Sequence, residues 1–542
     1  MTEATSTKPA DLDIGSFTDE APWIVDPDAM PWRKPVDAVR WVTSRSVPEL
    51  IRPRKLPSGM RVFRVGRHLG VGIGLWAVGA RRKGGHESKA DISRRIRIAA
   101  EKLGPTYIKL LQIISSGEGL FPEELVEECK KCRDQVPPIP FHDVRRVIEE
   151  DLGRYLEDVF SWIDTEPLAS ASIAQVHRAT LRTGEDVVVK VQRPAVGELV
   201  HADIKVMAWL APFLIGRIPI AALANPPALV EVFTETISEE LDFRLEAQNM
   251  LDVARSFASL NQRGYVVPRP HPTLVTPRVL VMERLEGFAF YDVAGIKDSG
   301  IDTTAVVRTG MIGFMEGCMI HGLFHGDLHG GNLLVLPDGR IGLLDFGITG
   351  RLNEFKRLAF LRMLVGATMN DVRTQVEAFR DLGALPPDTD IDAMIRDLNL
   401  DGPPIDPTLL TQEEMLAEIQ KAVKGLLAYG ARLPKELMLF IKNMVFLDGA
   451  IASLAPDLDL FAEIALLSTY FAETHGNRIA GDIGIEEGAW EIDLTGVKGA
   501  FGVDPGTTSS MTYRDIQDRR KIIGERWEEG QRRRDRKARR RR

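Results

Sequence analysis

The stretch FHGDLHGGNLLVLPDGRIGLLDFGITG, residues 324–350, constrains this chain more than any other. Asp327 and Asn332 stand five residues apart, and Asp345 of Asp345-Phe346-Gly347 follows thirteen residues after Asn332. The intervening LLVLPDGRIGLL reads as a two-stranded turn, which returns Asp345 to the neighbourhood of Asn332. An amide oxygen and a carboxylate are hard donors of the kind Mg2+ takes in its tight octahedron, where it also keeps substrate phosphates.

Protein kinases use this spacing: a loop Asp accepts or orients the proton of the attacking hydroxyl, an Asn holds one Mg2+, and the DFG Asp holds Mg2+ against the phosphates. The expected roles are therefore Asp327 in catalysis and Asn332 and Asp345 as metal ligands. A phosphate-gripping cation belongs on a strand of the smaller lobe, and Lys190 within VVVKV is the candidate, although a Lys in an apolar strand equally fits an edge position facing water. Twenty-one residues upstream, Ala169 begins ASASIAQVH at the place of a glycine-rich loop. Small side chains let backbone amides approach phosphates, but alanine resists the positive φ that glycine permits, so a stiffer loop with an altered nucleotide preference is expected. Nucleotide contacts are expected from Ala169, Ser170, Ala171, Ser172, Ile173, Ala174, Val176 and Lys190. Met282 and Glu283 join them, where RVLVMERLEG runs from a strand into a connector. The stretch PPALVEVFTETISEELDFRLEAQNMLDVARSF, residues 226–257, reads as one long helix that should supply a carboxylate to Lys190. Of Glu235, Glu239, Glu240, Asp242 and Glu246, we take Glu240, because Glu240 and Asp242 lie among Leu241, Phe243 and Leu245 near the buried face.

At 542 residues the chain exceeds the size at which one core keeps growing, so two lobes with extensions are expected. With 44 % apolar residues, 27 % charged and three cysteines, it reads as a soluble protein of a reducing compartment. Its acidic first twenty residues resemble neither a secretory signal nor a transit peptide, and cytoplasm is the expected location. Cys129 and Cys132 lack the second Cys pair that a metal site would want. The formal charge of −8 conceals a basic end, QRRRDRKARRRR, with nine Lys or Arg against one Asp. The apolar stretch LGVGIGLWAVGA, residues 69–80, is too short to cross a hydrocarbon core that needs about twenty helical residues, and its four glycines weaken helix. Packing, or peripheral contact with an anionic membrane at its inner face, is what remains for it. Nucleic acid is not an expected partner.

The fold class expected is α+β: a two-lobed protein-kinase-like fold with an N-terminal helical extension packed over the active site. Along the chain we read an irregular extension over 1–85, helices over 86–150 interrupted near Gly104-Pro105, and a strand-rich lobe over 151–284 containing the hairpin HRATLRTGEDVVVKVQRP. A helix-rich lobe follows over 285–475, and a C-terminal extension over 476–542.

These residues together resemble the ABC1/ADCK/UbiB family of atypical kinases, also called AarF-type, over roughly residues 89–460. LGPTYIKLLQIISSGEGLFPEELVEECKKCRDQVPPIPF is similar to the family's segment with the KxGQ signature, PLASASIAQVHRA to its Ala-rich loop, and VVVKVQRP to its nucleotide-lysine strand. Glu240-Leu241-Asp242 matches its ExD motif, and HGDLHGGN with DFG its metal site. The resemblance implies an enzyme using ATP or ADP with Mg2+, a regulatory cap involving Lys109, Gln112 and Asp242 that blocks a protein substrate, and an Ala-rich loop that tunes nucleotide choice. It further implies isoprenoid-lipid or quinone metabolism, membrane association and an unidentified lipid or small-molecule substrate, and leaves the oligomeric state open. Two positions depart from the pattern. Leu111 stands in place of Gly, so the capping segment is expected to sit further from the site, and Gly330 in place of Pro should loosen the loop without removing a ligand. The alternatives are a small-molecule phosphotransferase of the aminoglycoside or choline kinase type, which leaves 101–141 unexplained, and a catalytically silent pseudokinase.

Overall fold

The computed structural model describes residues 9–52, 57, 59–83, 85–115, 122–132, 136–214, 226–369, 371–402, 425–426, 428–432, 434–484, 510–518 and 521. The basic end at 531–542 lies outside the described residues. The chain divides into two compact units: Met1–Gly287 with His325–Leu336 and Gly342–Thr349, and Phe288–Phe324 with Pro337–Ile341 and Gly350–Arg542.

The N-terminal region expected to be irregular contains two helices, α1 (Val36–Leu50) and α2 (Met60–Val78). The glycines of α2 each cost up to about 1 kcal/mol relative to alanine. Tertiary contacts offset them. Trp76 is buried, with its indole N–H directed at the carbonyl and hydroxyl of Ser88 (3.1 and 3.0 Å). Arg61 donates to the fully buried Asp203 (2.8 Å) and to the Leu103 carbonyl (2.6 Å). Helices α3 (Gly85–Leu103) and α4 (Pro105–Ser115) are interrupted at Gly104 as expected, and its φ of +102° is a left-handed conformation that glycine permits. Helix α5 (Glu123–Lys130) follows, then α6 (Phe141–Leu152).

Six strands form one sheet: β1 (Phe160–Ile163), β2 (Ala169–Ser170), β3 (Ala174–Leu181), β4 (Asp186–Gln192), and, past β5 (Tyr265–Val266), which lies outside it, β6 (Pro270–Val275) and β7 (Val279–Glu283). The order is β1-β3-β4-β7-β6, antiparallel throughout, with β2 paired to β3. The β3–β4 hairpin turns through Gly184 at φ +106°. Because side chains alternate across a strand, Val187, Val189 and Val191 face one way and join Val279 and Val281 in a core with Val144, Val147 and Ile148 of α6. Burying each such side chain is worth about 1.5–3 kcal/mol. The opposite face carries Lys190 in register between Val176 and Leu280, and Val188 opposite Met282.

The stretch 226–257 is not one helix. It forms Pro226–Glu240 and Phe243–Ser259, separated at Leu241 and Asp242, because Asp242 adopts extended geometry (φ −134°, ψ 105°) and its carboxylate caps the second helix by accepting from the Arg244 amide (3.0 Å).

The second unit is mostly helical. Lys435–Leu454 is, among the described residues, long and apolar enough to cross a membrane by length and composition (mean hydropathy 1.6). Here its Phe440 packs against Phe314 (centroids 5.7 Å) and Phe360 (4.8 Å), and its Asn443 is fully buried. Arg308 of Thr303–Glu316 makes a two-pronged pair with Glu463 of Leu460–Ile483 (2.6 and 2.7 Å).

Candidate active site

Lys190 lies on a central strand, so both backbone edges are paired and its side chain, 10 % exposed, needs compensation for its charge. Its Nζ donates to Glu246 Oε1 (2.6 Å) and to Asp345 Oδ2 (3.2 Å), and lies 5.5 Å from the centre of the Phe243 ring. Glu246 therefore replaces the expected partner Glu240. The helix break at Asp242 explains the difference: Glu240 ends one helix, whereas Glu246 occupies the first turn of the next, which packs against β6 and β7 beside the Lys190 strand.

That second helix also grips the Asp345-Phe346-Gly347 backbone. Asn249 Nδ2 donates to the Phe346 carbonyl (2.9 Å), and Glu246 Oε1 accepts from the Phe346 amide (3.5 Å). The Gly347 amide donates to Asp345 Oδ1 (2.9 Å). His325, buried beside Phe346, accepts at Nδ1 from the Asp327 amide (3.1 Å), so its Nε2 carries the proton donated to the Asp345 carbonyl. Asn332 Nδ2 donates to the Asp327 carbonyl (3.0 Å), and the Leu344 amide to the Asn332 carbonyl (3.0 Å). The Gly326 amide is held by Ile348 (2.9 Å). These bonds tie the ends of the 327–332 loop, within which Gly330 lies.

The capping segment reaches the same place. Lys109 of α4 lies 2.8 Å from Glu240 Oε1, and its charge is felt by Asp327 and Asp345. The contact is a close ion pair, and among the described residues Glu240 Oε1 has no other donor. Leu111 is fully buried. The expectation that its bulk holds the segment away from the site is therefore overturned: the side chain packs inward while Lys109, two positions earlier, keeps its reach. Gln112 is half-buried one turn further along. Asp242 accepts from Arg244 Nε (2.9 Å) and Nη2 (2.6 Å) besides capping the helix, which makes it a local structural anchor.

The Ala-rich loop is firmly held and has no residue at positive φ. Ala169 and Ala171 are exposed, while Ser172, Ile173 and Ala174 are buried. The Ser170 hydroxyl donates to the Val136 carbonyl (2.8 Å) and accepts from Arg193 (2.8 Å), and Arg193 also donates to the Ala171 carbonyl (3.0 Å). Val176 and Met282 share the Lys190 face of the sheet. Glu283 does not. One position on, opposite Val187, its carboxylate is buried against Arg269 (3.2 Å) and Thr18 and its amide is held by the Arg269 carbonyl (2.9 Å), so the side chain is not offered to a ligand.

The electrostatics follow from one crowded cluster. Burial would raise the Asp345 carboxyl, but Lys190, the Gly347 amide and Lys109 bring it down to about 2. Burial pushes Glu246 up to about 7 against the pull of Lys190, with Asp345 adding to the rise. Burial also raises Glu240, against Lys109. Burial opposes the charge of both lysines, yet their carboxylate neighbours hold each above the ordinary range. Burial lowers His325 to about 4, leaving the ring neutral.

Asn332 and Asp345 fit a hard cation. With Asn332 Nδ2 committed to the Asp327 carbonyl, its Oδ1 has no protein donor, and the Asp345 side chain remains 43 % exposed although Lys190 and Gly347 hold it. Among the described residues there is no group of three or more His, Cys, Asp or Glu that could hold a metal, so two protein oxygens would share the ion with other ligands.

Sequence reasoning weighed Glu246 but chose Glu240, and it missed Asn249 and His325. One signal was available: 246 and 249 lie three apart and share a helix face, and in the structure both are buried polar residues.

A model of the ABC1 atypical kinase-like domain matches residues 131–379. An uncharacterized protein of Mycobacterium tuberculosis is 38 % identical over 381 residues, which cover 68 % of this chain and 76 % of that protein. An uncharacterized aarF domain-containing protein kinase, chloroplastic, of Arabidopsis thaliana is 33 % identical over 393 residues (68 % and 73 %). A probable protein kinase UbiB of Vibrio vulnificus is 31 % identical over 385 residues (70 % and 70 %).

Proposed function

Because this chain belongs to the ABC1 family of atypical kinases, also called AarF- or UbiB-type, we propose that its first unit binds a magnesium nucleotide and transfers or hydrolyses the terminal phosphoryl group. The observation that carries this reading is the convergence of Lys190, Glu246 and Asp345 within 3.2 Å, beside a catalytic loop whose Asp327 and Asn332 are linked by a hydrogen bond. Lys190, kept protonated and aimed by Glu246, grips phosphate oxygens. Asp327 receives or orients the proton of an attacking hydroxyl or water. Bound Mg2+, held by Asn332 and Asp345, supplies positive charge against the phosphates. Lys109 stands where an incoming peptide would bring its hydroxyl, so slow ATP hydrolysis without phosphorylation of generic proteins is the expected activity. The intact Lys190, Asp327, Asn332 and Asp345 favour an enzyme over a silent pseudokinase. The substrate proposed is an isoprenoid-derived lipid or quinone precursor, on the family resemblance, and lipid profiling of a deletion strain tests it.

Calorimetry with ADP or ATP and Mg2+ tests the core of the proposal. Wild-type protein should bind, and Asp345→Ala should weaken binding at least tenfold in Mg2+, about 1.4 kcal/mol or more. Equal affinity in the two proteins would remove Asp345 from the metal site.

A peripheral membrane contact is a second proposal, supported by one face of α2. Met60, Phe63, Val71, Leu75 and Val78 are exposed there, with the exposed Arg64 and Arg67 among them. Apolar side chains beside arginines suit an anionic lipid surface, each basic residue adding about 1 kcal/mol. Cosedimentation with anionic vesicles should occur at low salt and be lost near 1 M salt, where the screening length is about 3 Å.

A further inference from the structure

The N-terminal segment touches both ends of the proposed nucleotide site, through two separate chains of contacts. At the β7 end, Arg269 is fully buried and donates from Nε to Asp11 Oδ2 (2.7 Å) and from Nη2 to the Thr18 carbonyl (2.6 Å). The same guanidinium holds Glu283, and the Glu283 and Arg269 backbones are joined by the Glu283 amide and the Arg269 carbonyl (2.9 Å). Asp11 thus secures, through Arg269, the residue where β7 runs into the connector. At the metal end, Arg40 of α1 donates from Nη2 to Asn249 Oδ1 (3.3 Å).

The second contact has a specific consequence. A carboxamide can be turned either way, and only one orientation offers N–H to the Phe346 carbonyl. Arg40 has donors and no acceptor, so it requires the Asn249 oxygen to face it and thereby directs Nδ2 at Phe346 (2.9 Å). Arg33 acts in the same sense on the neighbouring Gln248, whose Oε1 it occupies (2.9 Å). Between these ends the segment is fastened to the unit by further bonds. The Ser16 amide donates to the Ala254 carbonyl (2.9 Å) and the Val267 amide to the Ser16 carbonyl (3.0 Å). Arg263 donates to the carbonyls of Leu12 (2.6 Å) and Gly15 (2.9 Å), and Trp23 to that of Pro270 (3.1 Å).

We propose that residues 11–40 brace the nucleotide site, with Arg40 positioning the Asp345-Phe346-Gly347 backbone through Asn249 and Asp11 positioning the β7 end through Arg269. The inference rests on the magnesium-nucleotide reading above. It separates the two ends: Arg40 governs how well Asp345 is presented to the metal, whereas Asp11 governs the fit of the nucleotide itself.

The test uses the full chain as wild type, Arg40→Gln, Arg40→Lys and Asp11→Asn, titrated calorimetrically with ADP at several Mg2+ concentrations and without Mg2+. Arg40→Gln should raise the Mg2+ concentration needed for half-maximal binding roughly tenfold, as loss of one charge-assisted, part-buried bond would. Its metal-free ADP affinity should stay unchanged, and Arg40→Lys, which unlike glutamine keeps a charged group with donors and no acceptor, should recover most of the loss. Asp11→Asn should weaken ADP several-fold with or without metal. General destabilisation cannot produce this split, and melting temperatures taken on the same samples report it separately. If Asp11→Asn fails to fold, Thr18→Val reads the same end. Unchanged Mg2+ dependence in Arg40→Gln, or parallel losses in every arm, overturns the brace while leaving nucleotide binding intact. Absence of binding by wild type overturns the nucleotide reading, and the brace with it.

Discussion

Two buried lysines meet two buried glutamates in the first unit, and the pairs are built differently. Lys190 projects from the middle of a sheet and is hydrogen-bonded to Glu246, which also accepts from the Phe346 amide. Lys190 sits on a strand paired on both edges, and Glu246 on the first turn of Phe243–Ser259. Lys109 comes from a helix of the N-terminal extension and pairs with Glu240, the last residue of Pro226–Glu240, at 2.8 Å, and among the described residues Glu240 Oε1 gains no further hydrogen bond of the kind that the Phe346 amide gives Glu246. A buried pair with further bonds to its carboxylate offsets its desolvation, and one without them offsets less. The first pair therefore behaves as frame, and the second as a contact that can be withdrawn.

Removing the frame should have the largest effect. Glu246→Ala leaves Lys190 buried with only the half-exposed Asp345, and should cost about 3–5 kcal/mol of stability in denaturant titrations while abolishing turnover. Glu240→Ala should cost clearly less, since its partner can turn toward Asp327 or Asp345. Equal losses would erase the distinction drawn between the pairs.

His325 supports the frame from the opposite side, and its protonation offers a pH probe. Its folded value of about 4 lies below the ordinary 6.5, so the stability it contributes is present above pH 6.5 and is lost as pH falls toward 4. The full amount is about 3 kcal/mol. Glu246, raised to about 7, acts with the opposite sign, its contribution fading as pH rises from about 4.5 to 7. Comparing melting profiles of wild type and His325→Gln isolates the histidine: the variant's stability should fall less between pH 6.5 and 4, and parallel profiles would refute a neutral buried ring.

The withdrawable pair predicts a gain. Lys109→Ala should raise basal ATP turnover or autophosphorylation about tenfold, equivalent to about 1.4 kcal/mol of barrier, measured with radiolabelled ATP. Unchanged or lower turnover would make Lys109 part of the frame. Smallest of all, Ala171→Gly should shift the ratio of ADP to ATP affinity a few-fold, because glycine restores backbone freedom worth about 1 kcal/mol or less to a loop without positive φ. An identical ratio would remove the loop from the phosphates.

Local pattern alone determined a good deal of this protein. The apolar run VVVKV had to be a strand, Gly104-Pro105 had to break a helix, and the intervals among Asp327, Asn332 and Asp345 had to enclose a short strand turn, since each depends on dihedral preference or periodicity within a few residues. What the pattern could not carry was partnership across distance. Glu240 and Glu246 have comparable apolar surroundings in sequence, and the choice between them turned on one cap at Asp242, which redirects the chain between two helices. Leu111 read as a spacer because bulk alone is visible in sequence, whereas the direction of the side chain, into the core and away from Lys109, is set by packing. Glu283 looked like a nucleotide contact until strand register turned its carboxylate to the other face, where a segment more than 250 residues earlier supplies Thr18 and Asp11. Spacing along the chain fixes which groups are present, and only register, caps and burial decide which of them meet.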